Sequence, residues 1–406
     1  MQLSTLALLF SSVVGIANAF PVVEKRENAT TAAPFGLSSV AGLNVTYSSP
    51  VNSSLPNVVI FATGGTIAGS SSSNTDTTGY QAGVVGVAAL VQAVPELLGT
   101  ANIVGSQISN IGSEDMNATI VLRMAKLANE ILCSEGSQVD GLVITHGTDT
   151  MEETAYFMDA TVNCHKPVVL VGAMRPSTAI SADGPANLLQ AVNLAADPAA
   201  KDRGAMIVLN DRIGAAYYTI KTNANTLETF RAMEQGYLGM FLSSKPVFYY
   251  PAAQPIFKKT FDVTNITELP KVDVLYGHQD FDYLLIRAAV ANGAKAIVIA
   301  GRFKKLGQMG SVWTDDILRS GTGAGSQTSP SMPHIDALIA QGYPVIASSK
   351  VNVGAVVPNT DKSSFIRSGF LNPVKSRMQA QLALASGYDL AAIRASFEDV
   401  LYDYLY

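Results

Sequence analysis

Seven short apolar runs punctuate the chain: Val58 to Ala62, Leu142 to Thr145, Val168 to Val171, Ala205 to Leu209, Val272 to Tyr276, Ala296 to Ala300 and Pro344 to Ala347. Each has strand length, and most are near-continuous and β-branched rather than alternating, which predicts strands buried on both faces. Helical segments fall between them. In Ala118 to Leu132 the residues Ile120, Met124, Leu127 and Ile131 repeat at steps of 4, 3 and 4, and two further helices are predicted at Val374 to Ala385 and Leu390 to Tyr404. Strands alternating with helices predict an α/β fold built on largely parallel sheets with helices on both faces.

The pattern weakens twice. Residues 27–56 are rich in Ala, Thr, Ser and Asn without a sustained period, and 20–56 reads as a processed, glycosylated, loosely ordered extension ahead of a fold that starts near Asn57. Between Gly236 and Pro270 the periodicity fades again and Pro246, Pro251, Pro255 and Pro270 appear. The expected organisation is a larger N-terminal α/β domain over 57–245, a linker over 246–270 and a smaller C-terminal parallel-sheet domain over 271–406.

Composition narrows the class. Of 406 residues 48% are hydrophobic and 15% charged, with only 2 Cys, which excludes a disordered, collagenous or disulfide-scaffold protein. A net charge of -5 without long like-charge runs argues against nucleic acid or an anionic membrane as partner. Residues 1–19 hold apolar runs ending in Ala17-Asn18-Ala19, as a cleavable secretory signal does, and Lys25-Arg26 follows as a candidate processing site. No later segment is apolar enough for a membrane span. Five Asn-x-Ser/Thr sequons, at Asn28, Asn44, Asn52, Asn117 and Asn265, fit a secreted glycoprotein. In that oxidising route a Cys133–Cys164 disulfide is favoured over two free buried thiols.

Three predicted strands end in polar, glycine-containing turns: Thr63-Gly64-Gly65-Thr66, His146-Gly147-Thr148-Asp149-Thr150 and Gly172-Ala173-Met174-Arg175-Pro176. Ligands of open α/β sheets bind outside the carboxyl ends of strands, so these turns form a candidate pocket, although each alone reads equally as a tight turn. Competing chemistries lose ground. Gly64 to Gly69 is followed by Ser70 where a phosphate loop needs Lys, and there is no Gly-x-Ser-x-Gly elbow and no His-Glu-x-x-His or Cys-x-x-Cys metal spacing. The four histidines are scattered and read as structural. No metal or cofactor is expected. What remains is hydroxyls with a carboxylate and a lysine, enough for a threonine nucleophile activated without histidine.

The blocks Ala62-Thr63-Gly64-Gly65-Thr66-Ile67-Ala68-Gly69, Ile144 to Thr154 and Val171 to Pro176 with Ser181-Ala182-Asp183-Gly184-Pro185 resemble those of the secreted, bacterial-type (type II) L-asparaginases. The likeness runs from about Leu55 to the C-terminus. It implies that Thr66 attacks a side-chain amide, that Tyr80 at the end of a polar lid hydrogen-bonds it, and that Thr148, Asp149 and Lys221 form a second, buried triad. It also implies that Ser113 and Glu114 hold the substrate's α-carboxylate and α-ammonium, with Gly65, Thr148, Asp149 and Ala173 lining the pocket. The family's implied reaction converts L-asparagine and water to L-aspartate and ammonia through a β-aspartyl enzyme, in a homotetramer with sites between subunits. Backbone N–H groups near Gly65 and Thr148 are the candidate oxyanion donors. Cys133 and Cys164 match a disulfide of some members.

Two departures keep alternatives open. Some members have Gln where this chain has Glu114, and Glu there accompanies more L-glutamine hydrolysis, so a broad glutaminase-asparaginase is the second reading. The family also draws a glutamate from a neighbouring subunit, whereas Val353 to Ser368 holds only Asp361 as an acid. A non-catalytic amino-acid-binding homologue is the remaining alternative.

Overall fold

The computed structural model describes residues 34–301, 332–358 and 364–406. The signal segment, Lys25-Arg26, Asn28 and Asp361 lie outside the described residues. The strands are β1 Val45–Ser48, β2 Asn57–Gly64, β3 Asn102–Ile111, β4 Gly141–Thr145, β5 Val168–Val171, β6 Ala205–Leu209, β7 Arg212–Ala215, β8 Ile220–Lys221, β9 Phe230–Arg231, β10 Gly239–Leu242, β11 Lys245–Phe248, β12 Val272–Tyr276, β13 Ala296–Ala300, β14 Val345–Ser348 and β15 Ile366–Arg367. The α-helices are α1 Val87–Gln92, α2 Ala118–Ala128, α3 Met151–Thr161, α4 Gly184–Ala196, α5 Leu284–Ala291, α6 Met332–Ala340, α7 Pro373–Ala385 and α8 Leu390–Leu405.

Nine strands form one sheet in the order β1-β3-β2-β4-β5-β6-β7-β10-β11, and a second sheet runs β12-β13-β14-β15. The centre of the large sheet, β3 through β6, is parallel, while β1 and the β7, β10, β11 side are antiparallel. The small sheet is parallel throughout. The chain is thus a two-domain α/β protein.

Alternation along the central strands explains why both faces are covered. Val59 and Phe61 of β2 point into a core with α2 and α3, whereas Val58, Ile60 and Ala62 point the other way against α1 and α4. The first of these cores continues through Val272, Val298 and Ile346 of the small sheet to α7, so one apolar layer spans both sheets. Ile297, Ile299 and Val345 pack on the opposite face against α5 and α6.

The sheet also reaches beyond the bounds expected for the larger domain. Within the segment read as loosely ordered, Val45–Ser48 pairs with β3, because Val45 and Tyr47 alternate with polar neighbours and supply one half-buried face. At the other end, β11 extends past 245 as the second arm of an antiparallel hairpin with β10. The helix expected over 118–132 is regular to Ala128 and continues as a π-helical turn over Asn129–Cys133. Cys133 at the end of that turn is joined to Cys164, with Cα atoms 5.4 Å apart.

Candidate active site

Strands β2 and β4 are parallel neighbours, with Ala62 level with Thr145, so the turns that follow them leave the sheet side by side. Glycine permits the closeness. Gly65 has φ 76°, and a Cβ there would stand 2.3 Å from Gly147 Cα; Gly64 has φ 111°, and its Cβ would meet Ile111 O at 2.3 Å. Thr63 Oγ1 donates to Thr145 O at 2.8 Å and ties the two strand ends together. Thr66 and Thr148 each follow one of the two touching glycines, and both are buried.

Thr66 opens a 3-10 turn, so its amide has no partner within that turn. Its hydroxyl lies 2.5 Å from the Tyr80 hydroxyl. The chain between them leaves and returns through an antiparallel bridge, Ser70 with Gln81, and is tied down by Ser71 N–H to Thr178 Oγ1 at 2.9 Å and Ile180 N–H to Asn74 O at 2.9 Å. Within it, the Gly79 and Thr78 amides hold the Asp76 carboxyl below its ordinary range. The backbone N–H of Gly65, a candidate oxyanion donor, is instead committed to Ile111 O at 2.9 Å.

Lys221, on β8, donates from Nζ to Thr148 Oγ1 at 2.9 Å and to Asp149 Oδ1 at 2.6 Å. The Lys221 side chain is 15% exposed while Asp149 is 67% exposed, so the pair is closed on the lysine side and open on the carboxylate side. Because Lys221 is the donor, Thr148 accepts there and its own proton is free to point elsewhere. Ser113, buried after β3, accepts the Asp149 N–H at 3.2 Å, and its carbonyl accepts from Thr150 Oγ1 at 2.7 Å. The adjoining His146 is fully buried between Gly147 O at 2.7 Å and Thr154 Oγ1 at 2.9 Å, and burial pushes its pKa down to about 4. It is a neutral structural ring, not a base.

Glu114 is exposed, its carboxylate lies over Gly112, and it has no hydrogen-bond partner among the described residues. Ala173 is buried at the end of β5. The turn that carries it is held by Asp183, whose two oxygens accept the Met174 and Arg175 amides at 2.9 Å each. Sequence reasoning missed that support, although the Ser-Ala-Asp-Gly-Pro block contained its signal. The structure therefore brings Thr66 to Tyr80, and Thr148 to Asp149, Lys221 and Ser113, on touching turns, while Glu114 stands at the rim. Among the described residues no group of three or more His, Cys, Asp or Glu is placed to hold a metal. No described helix is long and apolar enough to cross a membrane.

Residues 57–254 match the family Asparaginase, N-terminal, and residues 316–397 match the Glutaminase/Asparaginase C-terminal domain. The chain is 48% identical to Probable L-asparaginase 1 of Schizosaccharomyces pombe, over 85% of this chain and 89% of that protein. It is 45% identical to L-asparaginase 2 of Bacillus subtilis, over 85% of this chain and 87% of that one. A solved structure, the probable cytoplasmic L-asparaginase from Campylobacter jejuni, superposes with a TM-score of 0.76 at 40% identity, covering 84% of this chain and 99% of the other. On the touching threonine turns, the two-domain fold and these relatives, the chain belongs to the asparaginase family.

Proposed function

We propose that this protein hydrolyses the side-chain amide of L-asparagine, with Thr66 as nucleophile. The observation that carries the reading is the backbone contact of Gly65 with Gly147, which puts Thr66 and Thr148 on adjoining turns, each hydroxyl already engaged by a separate partner, Tyr80 for Thr66 and Lys221 for Thr148. Thr66 Oγ forms a bond to the amide carbon, the C–N bond breaks, and the proton leaving Thr66 through Tyr80 ends on the departing ammonia. Water then forms a bond to the ester carbon, the bond between that carbon and Thr66 Oγ breaks, and a proton from the water returns to Oγ, releasing L-aspartate. Lys221 and Asp149 orient Thr148 so that its free proton faces the water or the amide. With Gly65 N–H committed, the Thr66 and Thr148 amides are the oxyanion donors, each contributing roughly 3 to 4 kcal/mol.

Ser113 and Glu114 bind the substrate's α-carboxylate and α-ammonium, with Gly65, Asp149 and Ala173 completing the pocket. The unpartnered Glu114 carboxylate favours a second reading, hydrolysis of L-glutamine as well, because a charge-assisted bond to the ammonium holds the longer amino acid too. The protein works as a secreted, glycosylated homotetramer. Asn44, Asn52, Asn117 and Asn265 are all exposed, and the Asn117 side chain caps α2 through its oxygen, leaving its nitrogen for a glycan. Ammonia release from L-asparagine and L-glutamine in parallel tests the reading: release from neither amide by folded protein would overturn it, and the ratio decides between the two substrates.

A further inference from the structure

Lys221 reaches Thr148 and Asp149 from β8, which among the described residues pairs only with the two-residue β9 and lies outside both larger sheets. A ribbon of that size cannot fix a side chain by its own pairing. Three other side chains hold it. Glu152, in the first turn of α3, accepts the backbone N–H of Lys221 at Oε2, at 2.6 Å, and its Oε1 accepts from Asn372 Nδ2 at 2.9 Å. Asn372 is the N-cap of α7, where its Oδ1 accepts the Lys375 N–H at 3.0 Å. Lys375 is 1% exposed and donates from Nζ to Ala216 O at 2.8 Å, Tyr217 O at 3.0 Å and Thr219 O at 2.7 Å.

All three ammonium protons of Lys375 are thus spent on the segment that ends at Lys221. Stability alone is a poor reason for this arrangement, since buried charged groups are often replaced by apolar ones at no loss. Position is a better one. Glu152 stands one turn beyond Asp149 on the same stretch of chain, so the clamp gives the lysine and its two partners a common reference.

We propose that Glu152, Asn372 and Lys375 are positioning residues, a clamp from α7 to α3 that sets where Lys221 Nζ stands against Thr148 and Asp149. The inference rests on the assignment of Lys221, Thr148 and Asp149 to the catalytic relay.

A donor–acceptor exchange tests it. Glu152→Gln leaves one oxygen for two donors, and Asn372→Asp keeps the cap but sets carboxylate against carboxylate. Together they restore both bonds, because the introduced amide then donates to the introduced carboxylate and still accepts from the Lys221 N–H, with the net charge unchanged. Each single variant is expected to lower kcat about 10-fold or more with KM within about two-fold, and the double variant to return within about three-fold of wild type. Asn372→Ser, which keeps the cap and loses only the bond to Glu152, gives the same reading if Asn372→Asp does not fold. Competitive acetylation of Lys221 with acetic anhydride, read by mass spectrometry, supplies a second measure that needs no turnover: faster labelling in the singles and wild-type labelling in the double. Wild-type kcat in the singles, a double variant no better than the poorer single, or equal labelling throughout would each overturn the clamp. If the wild type releases no ammonia, the proposed function falls and the labelling alone decides the clamp.

Discussion

Gly65 and Gly147 lie backbone to backbone, so close that a Cβ on Gly65 would stand 2.3 Å from the Cα of the other. Each is followed directly by a threonine, and the contact puts the two threonines on adjoining turns. Replacing Gly65 by Ala adds that Cβ and also strains a backbone at φ 76°. Stability is expected to fall by roughly 2 kcal/mol or more and ammonia release by about 10²-fold, read by denaturant melts and a coupled ammonia assay.

Tyr80 is half-buried and its hydroxyl bonds Thr66 at 2.5 Å. Tyr80→Phe removes the proton path and little packing. The expected outcome is a kcat roughly 10²-fold lower with an unchanged melting temperature. An unchanged kcat would assign the proton of Thr66 to another group.

The His146 ring titrates at about 4 in the folded protein against 6.5 as the ordinary value, so between those pH values the unfolded chain binds more protons. His146 therefore supplies stability above pH 6.5 that is lost as pH falls through 4, about 3 kcal/mol in all. Half-buried Glu153 and buried Glu398, whose carboxyls desolvation pushes up, act in the opposite sense. The ring itself is the cleaner observable. Histidine NMR should show it neutral at pH 5 and above, and a midpoint near 6.5 would contradict its burial between Gly147 and Thr154.

Cys133 and Cys164 are 31 residues apart and remote in role from the threonine turns. Removing both is expected to cost roughly 3 to 4 kcal/mol of stability by loop entropy. The kcat measured well below the melting temperature should not change.

How far the chain was legible from its residues follows from local physics. Each of the seven apolar runs marks a strand, and all but the edge strand β12 are buried on both faces, where parallel strands need no alternation. β3 carries no such signal because Ser106, Gln107 and Ser109 interrupt it, and two of these polar side chains are accommodated by its neighbour: Gln107 Nε2 donates to Ala62 O at 3.1 Å and Ser109 Oγ to Thr63 O at 2.9 Å. The threonine turns were visible as polar strand ends. Lys221, 72 residues from Asp149, could be placed there only by resemblance, and Asn372, 220 residues from Glu152, had no sequence signal at all. The first contact forms only when the larger domain closes on itself, and the second only once the two domains have packed.

In the proposed reaction it is Thr66 that forms the covalent bond. Acid quenching of the enzyme during turnover of L-asparagine, followed by mass spectrometry of the peptides that carry Thr66 and Thr148, measures this directly. An aspartyl group on Thr66 is the predicted result, and an aspartyl group on Thr148 would contradict the account.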